Sequence, residues 1–207
     1  MLVTVSITKY KNNFKETIKQ INETTADYIH IDLMDGKFVP QKQLMPADLK
    51  KFLEVAKKPL DVHLMAENPH KFLDFFASYR TEYITFHLEA VKDPQVMIDV
   101  IHSYGLKCGI SIKPTTNIKD IIPYLNKIEQ VLIMSVEPGL GGQSFMPEIT
   151  NKINELALLK QDNLVIGVDG GINEETIHLV KNADMVVSGS YICLSDNFQE
   201  RIDILKG

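Results

Sequence analysis

The chain has 207 residues, 44% hydrophobic and 24% charged, which is ordinary globular sequence and enough for one domain with a substantial core. A net charge of −5 without any lysine or arginine run excludes a nucleic-acid footprint but leaves room for a small anion held by backbone amides. Cys108 and Cys193 stand too far apart for a disulfide framework or zinc-ligand spacing, and no leader or membrane-length apolar run is read, so a reducing, cytoplasmic setting is expected.

Strand and helix patterns then alternate along the chain. A first strand is expected over 2–7, and a helix over 13–22, where Phe14, Ile18 and Ile21 recur at helical spacing. The second strand, 28–33, is rich in aromatic and β-branched residues and runs toward the turn signal Asp35-Gly36. Pro46 opens an expected helix to about 57, with Leu49, Phe52, Leu53 and Ala56 on one face. Strand 60–65 precedes a helix running from Pro69 through Phe72, Leu73, Phe76 and Tyr79. Strand 83–87 precedes helix 94–104, and strand 106–112 precedes a short helix marked by Ile118, Ile121 and Ile122. Strand 130–136 leads through a long glycine-rich loop to helix 149–159. Strand 164–168, helix 174–181, strand 185–187 and helix 198–205 complete the pattern. Eight β–α units with short connections predict an α/β fold, one (β/α)₈ TIM-barrel domain over 1–207. A doubly wound open sheet is the alternative. Its dinucleotide-binding form is weakened because no G-x-G-x-x-G follows the first strand.

Barrel enzymes keep their chemistry at the C-terminal strand ends, and polar residues recur there. Strand alternation puts His30, Asp32 and Met34 on one face, and likewise Asp61, His63 and Met65. His87 ends the fourth strand with Glu89 two residues on, Met134 lies in the sixth, and the seventh ends in Val168-Asp169-Gly170-Gly171. Two histidines and two carboxylates pointing at one centre from three strands suit zinc or ferrous iron. Each alone reads as a satisfied core residue; convergence on one barrel mouth reverses that reading. Asp61 points inward but deeper, Asp35 faces away by parity as a turn residue, and His102 and His178 read as helix-surface residues. Three loops expose backbone amides: 137–145, Gly170-Gly171 and Ser188-Gly189-Ser190. Any one would read as a flexible turn, whereas three adjacent loops favour an anion site.

The segments HIDLMDGKFVP (30–40), DVHLMAENP (61–69), ITFHLEA (84–90), VLIMSVEPGLGGQSFMP (131–147), VDGGI (168–172) and VSGS (187–190) match a known pattern in order and spacing. In them the chain resembles the ribulose-phosphate 3-epimerases from end to end. The resemblance implies a ribulose-phosphate-binding barrel that interconverts D-ribulose 5-phosphate and D-xylulose 5-phosphate in the pentose phosphate pathway. The implied route is metal-dependent two-base proton transfer at carbon 3 through an enediolate. It places the metal ligands on His30, Asp32, His63 and Asp169, and the acid/base pair on Asp32 and Asp169. One divalent ion is implied, with Zn, Fe(II), Mn and Co all open. Substrate contacts fall on Ser6, His63, Met34, Met65 and Met134, and phosphate contacts on Gly141, Gly142, Gly170, Gly171, Gly189 and Ser190. The implied partners are a sugar phosphate and further copies of the chain, as a dimer or larger homo-oligomer, with no nucleic acid and no membrane.

Two stretches depart from the family pattern. Thr8-Lys9-Tyr10-Lys11 follow Ser6-Ile7 where many members read Leu-Ser-Ala-Asp, and Gln41 and Met45 flank the loop after strand two where many carry Asn and Gly. The second departure keeps a hexulose 6-phosphate (allulose 6-phosphate) as an alternative substrate. A decarboxylase of the orotidine-phosphate type needs an Asp-x-Lys-x-x-Asp array, and Leu33 and Met34 follow Asp32 instead. A non-enzymatic scaffold barrel would have little reason to keep buried carboxylates at all the ligand positions.

Overall fold

Every strand sends alternate side chains to two different environments, and that alternation explains why the sheet closes on itself. The computed structural model describes residues 1–7 and 13–207; the departure at Thr8, Lys9, Tyr10 and Lys11 lies outside them. In chain order the elements are β1 (Leu2–Ser6), α1 (Phe14–Asn22), β2 (Tyr28–Asp35), β3 (Lys42–Gln43), α2 (Pro46–Leu49), β4 (Leu60–Met65), α3 (Leu73–Ala77) and β5 (Thr81–His87). There follow α4 (Pro94–Ser103), β6 (Lys107–Ile112), β7 (Gln130–Met134), α5 (Ile149–Leu159), β8 (Val165–Asp169), β9 (Met185–Ser188), α6 (Ser190–Cys193) and α7 (Phe198–Lys206). Parallel pairing runs β1-β9-β8-β7-β6-β5-β4-β2, and β1 pairs with β2 to complete a closed barrel of eight strands. The expected TIM barrel is therefore the observed fold, and the open sheet is excluded.

Outward residues such as Val5, Ile31, Leu64, Phe86, Ile110, Ile133 and Val168 pack against Ile18, Leu49, Phe76, Ile101, Ile153 and Ile202 of the surrounding shell in one buried apolar cluster. Inside the ring the character inverts: Thr4, His30, Asp61, His63, Thr85, His87, Ser111 and Gln130 are all buried there. Polar groups in such a place need partners, and Thr85 Oγ1 donates to Gln130 Oε1 at 2.7 Å. Gly109 makes that pair possible, because a Cβ at this position would lie 2.2 Å from Thr85 Oγ1. Register sets heights around the ring: Ser6 lies beside His30, Asp32 beside His63, and Met134 beside Asp169.

The shell is less helical than the apolar spacing predicts. The helix expected from Pro46 to about 57 stops at Leu49 and resumes only as a 3₁₀ turn over Leu53–Val55. Its buried face is the expected one, but Asn22 of α1 accepts from the Lys57 amide at 2.9 Å and donates to the Val55 carbonyl at 2.7 Å, pulling the chain out of helical geometry. The helix expected over 174–181 is a 3₁₀ turn at Ile177–Val180. Asn173 Oδ1 accepts from the amides of Glu175 and Thr176 and its carbonyl from the Ile177 amide, so the entry is capped as a helix start is, yet only the tighter turn follows. The segment opened by Pro69 is likewise a 3₁₀ turn, Pro69–Phe72, before the short α3. An element not expected from the sequence, β3, pairs antiparallel with the end of β2, Gln43 against Met34 and Lys42 against Asp35. Among the described residues no helix is long and apolar enough to cross a membrane.

Candidate active site

Three strands deliver four donors to one point at the barrel mouth. His30 and Asp32 are two apart on β2 and so share its inner face, His63 of β4 is in register with Asp32, and Asp169 ends β8. One donor atom from each lies within 4.8 Å of all the others. Asp32 Oδ1 is 3.1 Å from both His30 Nε2 and His63 Nδ1, and Asp169 Oδ2 is 3.9 Å and 3.7 Å from the same nitrogens. Asp61, fully buried on β4, adds a third carboxylate, and its Oδ1 has no hydrogen-bond partner among the described residues. Three carboxylates gathered in a dry interior call for positive charge. Two imidazoles and two carboxylates are a donor set that fits a divalent cation such as zinc or ferrous iron.

The two carboxyls at the centre sit in unlike surroundings. Burial raises the Asp32 carboxyl, but His30 and then His63 outweigh it and hold the group below the ordinary carboxylate range. Asp169 is pushed up to about 6, first by burial and then by the charge of Asp32, against the pull of the same two imidazoles. For His30 burial works toward the neutral form, yet Asp32 and Asp61 overcome it and raise the imidazole well above its usual value. Ser6 Oγ donates to Asp32 Oδ2 at 2.7 Å, so one oxygen of Asp32 faces the histidines and the other is steered by the end of β1.

Above this floor opens a cavity of about 290 Å³. Asp32, Asp169 and Ser6 form its polar floor, and Met34, Met65 and Met134 its apolar wall. His30 and His63 lie beneath, fully buried. The far end is lined by Gly141, Gly142, Gly170, Gly171, Gly189 and Ser190, so every residue expected in substrate contact borders this cavity or supports its floor. Gly170 and Gly171 have φ of +121° and +65°, and a Cβ at Gly171 would lie 2.4 Å from the Phe145 amide nitrogen. No other residue fits that approach. Ser135 binds the neighbouring backbone twice, Oγ donating to the carbonyls of Asp169 at 2.9 Å and Gly170 at 2.6 Å. Gln143 Nε2 donates to the carbonyls of Glu137 and Leu140, folding the 137–143 loop onto itself.

Sequence reasoning missed two groups. Gln43, carried to the cavity by β3, and Leu140, 59% exposed at the tip of the glycine loop, both line it. For Gln43 no local signal exists, since only the pairing with Met34 brings it there. Behind the four donors, His30 Nδ1 meets Asp61 Oδ2 at 2.7 Å, and His63 Nε2 meets His87 Nε2 at 2.9 Å. His87 Nδ1 in turn meets Glu89 Oε2 at 3.2 Å. Asp35 is the turn residue its parity suggested: its carboxylate accepts from the amides of Lys37, Phe38 and Glu67. His102 sits on α4 at the surface, 3.0 Å from Glu129, and His178 lies in the 3₁₀ turn after β8, both away from the cavity.

A search of protein families matches residues 3–193 to the ribulose-phosphate 3 epimerase family. A ribulose-phosphate 3-epimerase from Helicobacter pylori is 37% identical over 186 residues, covering 87% of this chain and 86% of the relative. One from Methanocaldococcus jannaschii is 38% identical, covering 94% of this chain and 84% of the relative. Among solved structures, KGPDC from Streptococcus mutans superposes with a TM-score of 0.71 over 99% of this chain and 95% of that one, at 12% identity, a likeness of fold alone.

Proposed function

The chain belongs to the ribulose-phosphate 3-epimerase family, and from that premise we propose how its residues divide the work: Asp32 and Asp169 exchange the proton at carbon 3, and the glycine loops hold the phosphate. The activity is the interconversion of D-ribulose 5-phosphate and D-xylulose 5-phosphate. The hydrogen on carbon 3, beside a ketone, is a weak acid, and inversion requires that it leave one face and return to the other. One carboxylate on each side of a flattened sugar meets that need. Asp32 on β2 and Asp169 on β8 both border the cavity. The unlike environments of the two carboxyls suit an ionised base at Asp32 and a proton-holding acid at Asp169 in one direction, with roles exchanged in the other.

His30, Asp32, His63 and Asp169 would hold one divalent cation, Zn, Fe(II), Mn or Co. When bound, the cation supplies Lewis-acid polarisation at the ketone. Ser6 orients Asp32. Met34, Met65 and Met134 keep the reacting carbon dry and offer no competing proton donor. Backbone amides of Gly141, Gly142, Gly170, Gly171, Gly189 and Ser190 hold the phosphate, which fixes the sugar between the carboxylates. Nothing in the cavity favours a hexulose phosphate over the pentulose. We place the enzyme in the cytoplasm as a homo-oligomer. Cys108 and Cys193, both buried and far apart in sequence, support a reducing compartment, and light scattering reads the assembly.

The observation that carries this reading is the convergence of the four donors, with both aspartates on the floor of a cavity that ends in glycines. Wild-type enzyme in deuterated water is expected to place deuterium at carbon 3, and Asp169→Asn to fold and stop epimerising. Full activity in that variant overturns the acid/base assignment.

A further inference from the structure

His63 offers Nδ1, not Nε2, to the centre, while His30 offers Nε2. A neutral imidazole carries one N–H, so each ring serves as a ligand only in one tautomer. For His30 the tautomer is set by Asp61, whose carboxylate receives Nδ1–H. His63 has no carboxylate behind it; its Nε2 meets another imidazole, His87. We propose that His87 and Glu89 are positioning residues that orient protons along a relay and hold His63 in the tautomer whose Nδ1 lone pair faces Asp32 and Asp169.

The direction of the relay follows from its far end. Glu89 Oε1 accepts the Lys113 amide at 2.9 Å and also receives the Thr116 hydroxyl. A backbone amide only donates, so this carboxylate is an acceptor throughout, and its other oxygen receives His87 Nδ1–H. His87 then has only a lone pair at Nε2. The hydrogen between the two imidazoles must belong to His63 Nε2, which leaves His63 Nδ1 free to ligate. Lys152 of α5 secures the anchor: its ammonium donates to the carbonyls of Lys113, Pro114 and Thr116 at 3.2, 2.7 and 2.6 Å. Phe38 packs on the His87 ring at 4.7 Å between centroids, tilted by 37°, and His87 is fully buried, so solvent cannot reset the order.

Glu89→Gln turns the logic around without changing shape. The Lys113 amide keeps the amide oxygen at the Oε1 position, so the NH₂ must face His87 Nδ1. His87 then donates from Nε2, His63 accepts, and His63 Nδ1–H points at the centre, where it cannot ligate. The inference rests on the ligand set proposed above, and the experiment separates the two. Long-range ¹H–¹⁵N spectra of the full-length chain with zinc added are expected to show His63 protonated at Nε2 and bare at Nδ1 in the wild type, and protonated at Nδ1 in Glu89→Gln. Zinc affinity, read by chelator competition, is expected to fall by roughly 10–100-fold in the variant. A merely structural role for Glu89 would lower Tm and leave the His63 signature unmoved. His63 protonated at Nδ1 in the wild type, or an unchanged tautomer in a folded variant, overturns the relay. If Glu89→Gln does not fold, the wild-type spectrum decides alone. Absence of zinc binding by the wild type, with His63 still carrying its hydrogen at Nε2, overturns the ligand set and leaves the relay standing.

Discussion

The two halves of the barrel mouth are made of different material. From β2 to β5 the mouth is built of side chains: two imidazoles and a carboxylate that reach inward, with Asp61, His87 and Glu89 behind them. From β7 to β9 it is built largely of backbone, glycine after glycine, with the chain pressed so close at Gly139, Gly170 and Gly171 that a methyl group does not fit. The first half places reactive atoms. The second places a surface, and it works because side chains are missing. A substitution therefore damages the first half by taking an atom away and the second by adding one.

The end of strand β8 and the turn after it carry both kinds of material within three residues, Asp169 to Gly171, so they offer the sharpest test. Asp169→Asn removes the proposed acid/base atom and is expected to lower kcat by about 10²–10⁴ or more while KM barely moves. Gly171→Ala leaves every reactive group in place but drives a Cβ into the Phe145 amide at a φ of +65°. It should raise KM, and the affinity for inorganic phosphate should fall about tenfold or more, since ~1.4 kcal/mol is a factor of ten. The comparison breaks if both variants lose the same kinetic parameter. Cation removal is the next test. Chelation is expected to stop turnover and zinc to restore it. Zinc at a hundred times its Kd should stabilise the fold by about 2.7 kcal/mol, a rise in Tm of roughly 5–10 °C by calorimetry. Asp61→Asn should weaken this response, and a substitution confined to the glycine half should not. The smallest effect concerns acid. His87, Lys113 and Thr116 together overcome burial and hold the Glu89 carboxyl down at about 2. Its stabilising effect is whole above pH 4.5 and disappears as the pH falls through about 2. With solvent screening of this partly exposed group, about 1–2 kcal/mol is at stake. Urea unfolding across that range should show a shallower slope in Glu89→Gln.

The same contrast explains what could be read in advance. The strands and their inward faces were visible because β-branched runs and the two-residue alternation are local, and His30, Asp32 and His63 announce themselves by residue type. Glycines at 141–142, 170–171 and 189 were visible because their clustering is itself a signal. The segments 46–57 and 174–181 carry the apolar spacing of helices, but Asn22 ties the end of the first to α1 through side-chain bonds to its backbone, and the second closes as a 3₁₀ turn. Gln43 was invisible because pairing with Met34, not any local pattern, brings it to the mouth. His87 and Glu89 stood out as nearby polar residues, but which nitrogen faces which oxygen is a matter of angstroms, absent from a string of letters.

The two-residue strand β3 has a consequence for how such an enzyme diversifies. Gln43 sits at the entrance only because it lies opposite Met34, and its neighbour Lys42 is exposed on the other side. A slip of one place in this pairing would exchange the two faces, turning an ammonium group toward the incoming sugar in place of an uncharged amide. Inserting or deleting a single residue between β2 and β3 would thus change what meets the incoming molecule while leaving Asp32 and Asp169 in place.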